Sequence, residues 1–333
     1  MLEDFSDAPE RERRRPRRPM GTGKRILVSL LALVLLVIIG IGAYVWFLSN
    51  KVDRNLDHED LLGTQSEDYD PNRDSSGNKL VTGAGTNYLL LGSDARPGES
   101  FSRADVIQLV HVDEDNDNIW LIHFPRDLYV PIDGHGKDRI NAAYAYGKSP
   151  LLVRTIQDLV GVKIDHVAQT DFEGFVALTN ALGGVTVNNP QGGDDFPEGR
   201  IELGGDKALD FVRERKSLQE GDISRGERQQ AWLKGIMNET LTPSVLLNPA
   251  KLSDVIDAGT KNTTVDNQLT TSKIRSQAIA LRGVRGSNIH FLTAPFDGYG
   301  TTSGGASIDV LDERGMERLG EALQRDDMAS YVE

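Results

Sequence analysis

Residues 26–48 form a run of 23 positions without one Asp, Glu, Lys or Arg. A helix of that length, rising ~1.5 Å per residue, reaches across the ~30 Å hydrocarbon core of a bilayer. Within lipid, a helix is also the form in which such a segment satisfies its own backbone hydrogen bonds. Arg11, Arg13, Arg14, Arg15, Arg17, Arg18, Lys24 and Arg25 stand just before the run, against five acidic residues. The positive-inside rule therefore puts residues 1–25 in the cytoplasm. Tyr44 and Trp46 fall near the outer end, where amphipathic rings favour the interface. A cleaved signal peptide is the alternative. However, the run exceeds the usual ~7–15-residue apolar core, and its exit, Tyr44-Val45-Trp46-Phe47, offers no small-x-small cleavage site. The expectation is a single transmembrane signal-anchor helix with everything beyond it outside the cytoplasm. Gly21-Thr22-Gly23-Lys24 resembles part of a phosphate loop but lacks its spacing and its preceding strand.

The chain has 333 residues and a net charge of −13. An acidic balance argues against a nucleic-acid partner, which favours a basic face. The absence of cysteine excludes a disulfide scaffold and a Cys-ligated zinc site, and leaves the redox compartment open. Residues 49–84 are polar and rich in Asp, Asn, Ser and Gly, and read as an extracytoplasmic linker, with one domain over 85–333. Nothing after residue 323 suggests a further domain, so a one-domain ectodomain is expected.

From Asn87 onward, short apolar runs alternate with helical periodicity. Strands are expected at 88–91, 106–112, 119–124, 167–170, 185–187 and 290–293. Helices are expected at 150–160, 172–182, 205–213, 224–241, 270–282 and 312–323. Asp115-Asn116-Asp117-Asn118 signals a hairpin turn, and Gly183-Gly184 a helix stop. The class is α/β, a mixed central sheet flanked by helices on both faces. Strand order is not legible at this level.

Charged residues gather at the ends of apolar elements, where a fold can bring them into one cleft. Asp94 follows the first strand, Arg103 and Asp105 precede the second, and Arg126 and Asp127 follow the third. Arg213 and Arg215 close one helix; Asp222, Arg225, Arg228 and Gln229 open the next. Ser224-Arg225-Gly226-Glu227 fits a capping box that starts this helix at Arg225. Arg225 and Gln229, four residues apart, then share a face at the positive dipole end, a strong anion site. Arg213 and Arg215 converge only if their helix ends between them. Each group also has an ordinary reading, as a turn residue, a cross-strand pair or a solvated helix end. Two carboxylates with several guanidiniums suit phosphoryl transfer: Asp94 and Asp105 for a hard cation such as Mg2+, and the arginines for phosphate oxygens. His111, His123 and His290 lie on or beside strands without metal-ligand spacing and read as structural.

Seven ordered blocks resemble the LytR-CpsA-Psr family. They are Leu89-Leu90-Leu91-Gly92-Ser93-Asp94-Ala95-Arg96, Arg103-Ala104-Asp105, Phe124-Pro125-Arg126-Asp127 and Arg139-Ile140-Asn141-Ala142-Ala143-Tyr144. Then come Phe172-Glu173-Gly174-Phe175 with Leu182-Gly183-Gly184-Val185, Ala208-Leu209-Asp210-Phe211-Val212-Arg213-Glu214-Arg215, and Asp222-Ile223-Ser224-Arg225-Gly226-Glu227-Arg228-Gln229-Gln230. The resemblance implies a membrane-anchored phosphotransferase of cell-wall assembly. Such an enzyme moves a glycopolymer, with one phosphate, from a polyprenyl-pyrophosphate carrier to a peptidoglycan acceptor. It further implies that Asp94 and Asp105 bind Mg2+, and that Arg126, Arg213, Arg215, Arg225 and Gln229 hold the pyrophosphate. Arg103, Asp222 and Arg228 would support the site, Arg103 within reach of the same phosphates. Asp94, Asp105, Arg126 and Arg213 would be catalytic, with Asp105 favoured as base. The lipid would occupy an apolar tunnel lined in part by 172–182. Ala104 and Val106 flank Asp105 where relatives often carry hydroxyls, and Ser224 stands where glycine is common. A pyrophosphatase using water as acceptor, or a non-catalytic polyprenyl-phosphate binder or sensor, would use the same residues. A transcription regulator is opposed by the short cytoplasmic tail.

Overall fold

The computed structural model describes residues 22–65, 70–93, 103–193, 195–214, 218 and 222–332, with backbone alone at 22–35, 37, 93, 222 and 223. The chain divides into two units between Phe47 and Leu48. In chain order the elements are α1 (Thr22–Asn55), β1 (Asp57–Glu59), β2 (Thr86–Ser93), β3 (Val106–Val112), β4 (Ile119–His123), β5 (Leu128–Ile132) and β6 (Gly136–Arg139). Next come α2 (Ile140–Val160), β7 (His166–Asp171), α3 (Phe172–Leu182), β8 (Val185–Asn189), β9 (Gly199–Leu203), α4 (Gly205–Arg213) and α5 (Asp222–Thr240). The chain continues through α6 (Pro243–Leu246), α7 (Pro249–Thr260), β10 (Thr263–Asp266), α8 (Thr271–Ala280), β11 (Ile289–Thr293), β12 (Phe296–Thr301) and β13 (Ser307–Leu311). It closes with α9 (Glu313–Arg325) and α10 (Met328–Val332).

The expected membrane span falls inside α1, whose side chains are described from Leu36 on. Among the described residues no helix is long and apolar enough to cross a membrane.

The mixed sheet that the alternation predicts is present, as seven strands in the order β1-β10-β7-β2-β3-β4-β11. β2 pairs parallel with β7 and antiparallel with β3, and β4 pairs parallel with β11. The period of two sorts each strand. Leu89, Leu91, Ile107, Leu109, Trp120 and Ile122 face a core shared with α2 and α9. Leu121 and Val110 face Leu233 and Met237 of α5 on the other side. Helices therefore cover both faces. A four-stranded sheet, β12-β13-β5-β6, and the β8–β9 hairpin complete the unit. The β3–β4 turn forms where expected: Asn116 is left-handed at φ 58, and Asp113 accepts from the N–H groups of Asp117 and Asn118. Gly183 caps α3 at φ 84. The helix expected from residue 150 is the second half of α2, which kinks at Gly147 and Lys148 just before Pro150.

Residues 49–84 depart from the tether read in the sequence. Val52 and Leu56 pack with Val265 and Leu269, and Lys51 pairs with Asp257 at 3.3 Å. Asn55 donates to Asp257 and Thr260, β1 joins β10 in parallel, and Leu61 and Leu62 enter the main core. A few apolar residues in a polar stretch are enough to seat it, because the partner surface of residues 51–56 comes from far downstream, at 253–269.

Candidate active site

Between the sheet and helices α3 and α5 lies a cavity of about 290 Å³ with largely apolar walls. Leu90, Gly92, Val106 and Gln108 form its sheet side; Phe172, Phe175, Leu178, Val212 and Trp232 form its helical side. The lining expected from 172–182 is thus met by Phe172, Gly174, Phe175 and Leu178. Local chemistry fixes the helical wall. Asp171 ends β7 and caps α3, its Oδ1 accepting from the Gly174 N–H at 2.9 Å, an interaction worth about 1 kcal/mol. Phe175 stacks on Trp232 at 3.7 Å, and Trp232 Nε1 donates to Thr179 Oγ1 at 3.2 Å. The indole is held flat against the cavity with its one polar atom satisfied.

Two amides break the apolar lining. Among the described residues, Gln108 Nε2 and Gln229 Oε1 have no hydrogen-bond partner, although the two glutamines are only 2% and 9% exposed. A buried orphan polar atom costs roughly 1–3 kcal/mol. Sequence reasoning selected Gln229 but missed Gln108, whose signal was a polar residue at an inward position of an apolar strand.

Charged groups stand beside the same cavity. The Asp105 N–H donates to the carbonyl of Gly92, which holds the start of β3 against the end of β2. Arg126 Nη1 donates to Asp105 Oδ1 at 2.5 Å in a half-buried pair. Asp127 continues the chain of charge, 3.7 Å from Arg126 Nε and 3.2 Å from Arg139 Nη1. Arg213 ends α4 and sets its Cζ 4.2 Å above the Phe172 ring, in the cation–π range. Glu214 turns extended at ψ 135, so α4 stops directly after Arg213, as a shared role for Arg213 and Arg215 requires. Arg215 and Asp94 lie outside the described residues. Arg103 is exposed just ahead of β3.

The capping-box expectation fails at α5, which starts at Asp222 and takes Ser224 into its first turn as a buried residue. Arg225 and Gln229 are both buried on one flank of that helix. Gly226 permits the close approach of α5 to β4: a Cβ there would sit 2.7 Å from His123 Nε2. Arg228 is fully buried. It donates to Glu214 Oε2 at 3.0 Å and to the Gln191 carbonyl at 3.1 Å, and packs over Phe211 and Phe196. It ties α4, α5 and the loop after β8 together. Of the side chain of Asp222 nothing is described.

His290 stacks on Trp120 at 3.9 Å, and His111 bridges Asn87 and Asp326, so these histidines have structural places. Among the described residues no three His, Cys, Asp or Glu side chains cluster as metal ligands.

The model of the LytR_cpsA_psr family matches residues 50–325. The cell wall biosynthesis protein LcpA of Corynebacterium glutamicum is 33% identical over 293 residues, covering 71% of this chain and 56% of LcpA. The chain therefore spans a little over half the length of that relative. A protein named polyisoprenyl-teichoic acid–peptidoglycan teichoic acid transferase TagU, from Oceanobacillus iheyensis, is 31% identical over 86% of this chain and 89% of its own. Among solved structures, B. subtilis TagV superposes with a TM-score of 0.61 at 24% identity, over 72% of this chain and 96% of that one. TagT bound to LI-WTA gives 0.58 at 24% identity, over 83% of this chain and 99% of that one. At this identity the structures speak for the fold.

Proposed function

Since the chain belongs to the LytR-CpsA-Psr family, we propose that it is a membrane-anchored, Mg2+-dependent phosphotransferase of cell-wall assembly. It moves a glycopolymer bearing one phosphate from a polyprenyl-pyrophosphate carrier to peptidoglycan. Residues 26–48 anchor it, with residues 1–25 cytoplasmic and the remainder outside. The observation that carries the reading is a single juxtaposition: an apolar cavity bordered by Asp105–Arg126, Arg213 and Gln229. A hydrocarbon chain suits the cavity, and a diphosphate suits its charged border.

The residues then take distinct parts. Arg126, already oriented by Asp105, and Arg213, braced on Phe172, hold phosphate oxygens and stabilise charge on the leaving phosphate. Arg225, Arg215 and Arg103 add to that field, and Gln229 supplies a neutral contact. Asp222 and Arg228 position the arginine-bearing segments. The acceptor hydroxyl attacks the phosphorus that carries the glycopolymer; the bond from that phosphorus to the bridging oxygen breaks, and polyprenyl phosphate leaves. Asp105 accepts the hydroxyl proton. Mg2+ takes one or two carboxylates and completes its shell with water and phosphate oxygens. The pair Asp94 and Asp105, too few to form a protein-only cage, fits that donor set. The ion would supply charge neutralisation on the diphosphate.

The full chain in detergent, given Mg2+, a short-chain polyprenyl-pyrophosphate sugar and peptidoglycan fragments, should yield a sugar-phosphate-linked acceptor by mass spectrometry. Asp105→Ala and Arg213→Ala should yield none. Free sugar phosphate with an unmodified acceptor would replace this reading with a pyrophosphatase. Lipid binding without turnover would replace it with a carrier or sensor.

A further inference from the structure

The corner between α6 and α7 exposes apolar surface that the domain leaves uncovered. Leu247 is 81% exposed, the most of any large apolar side chain among the described residues, and Leu246 is 47% exposed. Residues 241–250, Leu-Thr-Pro-Ser-Val-Leu-Leu-Asn-Pro-Ala, hold no charged side chain in a chain that is 26% charged. Local structure holds the corner in shape. Val245 is fully buried in the apolar cluster that α6 shares with α3, α4 and α7. Pro243 and Pro249 open α6 and α7 with φ already set for a helix. The N–H groups of Leu246, Leu247 and Asn248 donate to the carbonyls of Thr242, Pro243 and Val245 at 3.0, 3.0 and 3.2 Å. Asn248 Oδ1 accepts from the N–H groups of Ala250 and Lys251 at 3.1 and 3.2 Å. These backbone donors are satisfied within the chain, as a segment leaving water requires.

The end of α1 gives the level of this corner. Lys51 Nζ donates to the Ser253 carbonyl at 3.2 Å, and Asn55 Nδ2 donates to Asp257 Oδ1 and Thr260 Oγ1 at 2.9 and 3.0 Å. A turn forward along α1 is thus about a turn forward along α7, and the two helices run parallel. At ~1.5 Å per residue, the step back from Lys51 to Leu48 falls opposite the first turn of α7. Leu48 is also where the apolar run 26–48 ends. Leu246 and Leu247, which precede α7, therefore stand at that end or beyond it. We propose that this corner enters the headgroup–acyl boundary of the outer leaflet, as a second membrane contact beside the anchor. The inference rests on the anchored reading given above. Leu246 and Leu247 supply the apolar contact. Lys251 follows them, its stem half-buried and its ammonium available to lipid phosphates. A single span leaves a domain free to turn about its axis; a second contact stops that turning. Gly259, in the wall of the apolar cavity, then lies ~15 Å along α7 from the corner.

The chain has no cysteine, so Leu247→Cys and Leu36→Cys each give a single labelling site in the full chain. Each variant carries an environment-sensitive fluorophore and is reconstituted into vesicles of phosphatidylethanolamine and phosphatidylglycerol. The vesicles contain either no spin label, a lipid spin-labelled near its headgroup, or one spin-labelled deep in its acyl chain. The label at 247 should lose emission to the shallow spin label, and the label at 36 to the deep one. Leu246→Asp in the chain labelled at 247 should restore most of that emission. It should leave the melting temperature unchanged, because Leu246 already stands exposed. Quenching at 36 with none at 247 would overturn the corner and leave the anchor. Quenching at 247 with none at 36 would keep the corner and remove the anchor. Quenching of neither label would overturn both. A label at 247 that is shielded from water yet untouched by either lipid would put a protein surface against the corner and overturn the proposal.

Discussion

Strands β2 and β3 treat polar side chains differently at their two ends. Where β2 begins and β3 finishes, Asn87 Oδ1 and Asp326 Oδ1 sit 2.8 and 2.7 Å from the two nitrogens of His111. Asn87 also donates to the Lys163 carbonyl, and Asp326 accepts from the Glu114 N–H. Next door, buried Asp266 accepts from Val167, Gln268 and Leu269 and lies 3.1 Å from His166 Nδ1. At the opposite end of the strands, Gln108 and Gln229 present orphan amide atoms to a cavity. The first end is polar and closed; the second leaves two amide atoms without partners among the described residues, which suits the ligand proposed above. Satisfied networks are built for stability, and unsatisfied ones give up stability for a ligand.

Substitutions can break this contrast in order of expected size. Arg228→Met removes the buried guanidinium's bonds to Glu214 and the Gln191 carbonyl and should cost about 3–5 kcal/mol, read as a fall in the urea midpoint. Arg126→Ala removes a charge from the cavity border and should lower the transfer rate by about 10²–10³ while near-UV circular dichroism keeps its native form. Asp266→Asn belongs to the closed end and should cost about 1–3 kcal/mol without touching kcat. It should also change the acid limb of stability. Burial by itself raises the Asp266 carboxyl, but the His166 contact and the Val167 and Gln268 N–H groups outweigh it, so its pKa lies below the ordinary 3.8. The folded state thus releases this proton more readily than the unfolded chain. Its stabilisation is present above 3.8 and lost as pH falls through the lower folded value, and the Asn variant should show a flatter decline there. Smallest in effect, Gln108→Leu removes an orphan donor and should leave stability unchanged or raise it by about 1 kcal/mol, while weakening binding of a polyprenyl pyrophosphate. A destabilised Gln108→Leu would erase the distinction between the two ends.

The sequence was legible where its signals were local. The strands expected at 106–112 and 119–124, the second of which ends at His123, their turn at Asn116 and the stop at Gly183 follow from apolar runs, Asx chemistry and glycine's tolerance of a positive φ. Leu61 and Leu62 gave no such signal, since a lone apolar pair in a polar stretch matters only once distant partners arrive. Ser224 misled because the Ser-x-x-Glu spacing reads the same when the serine lies inside the first turn, and α5 starts two residues earlier at Asp222. Within the candidate site, Arg126, Arg213, Arg225 and Gln229 were visible as charged or polar groups at element ends. Gln108 was not, because nothing in the residue itself tells a buried amide with a partner from one without.

The strand order also fixes when the domain can close. β1 lies against β10, and β4 against β11, so both flanks of the sheet need strands from the last quarter of the chain. A growing polypeptide that stops short of Thr263 exposes β7 and β4 as bare edges, which invite pairing with other chains. Closure must await nearly complete synthesis, and the large sequence separation of the pairs makes it slow. Chaperones and proteases therefore have a long window in which to act on this chain.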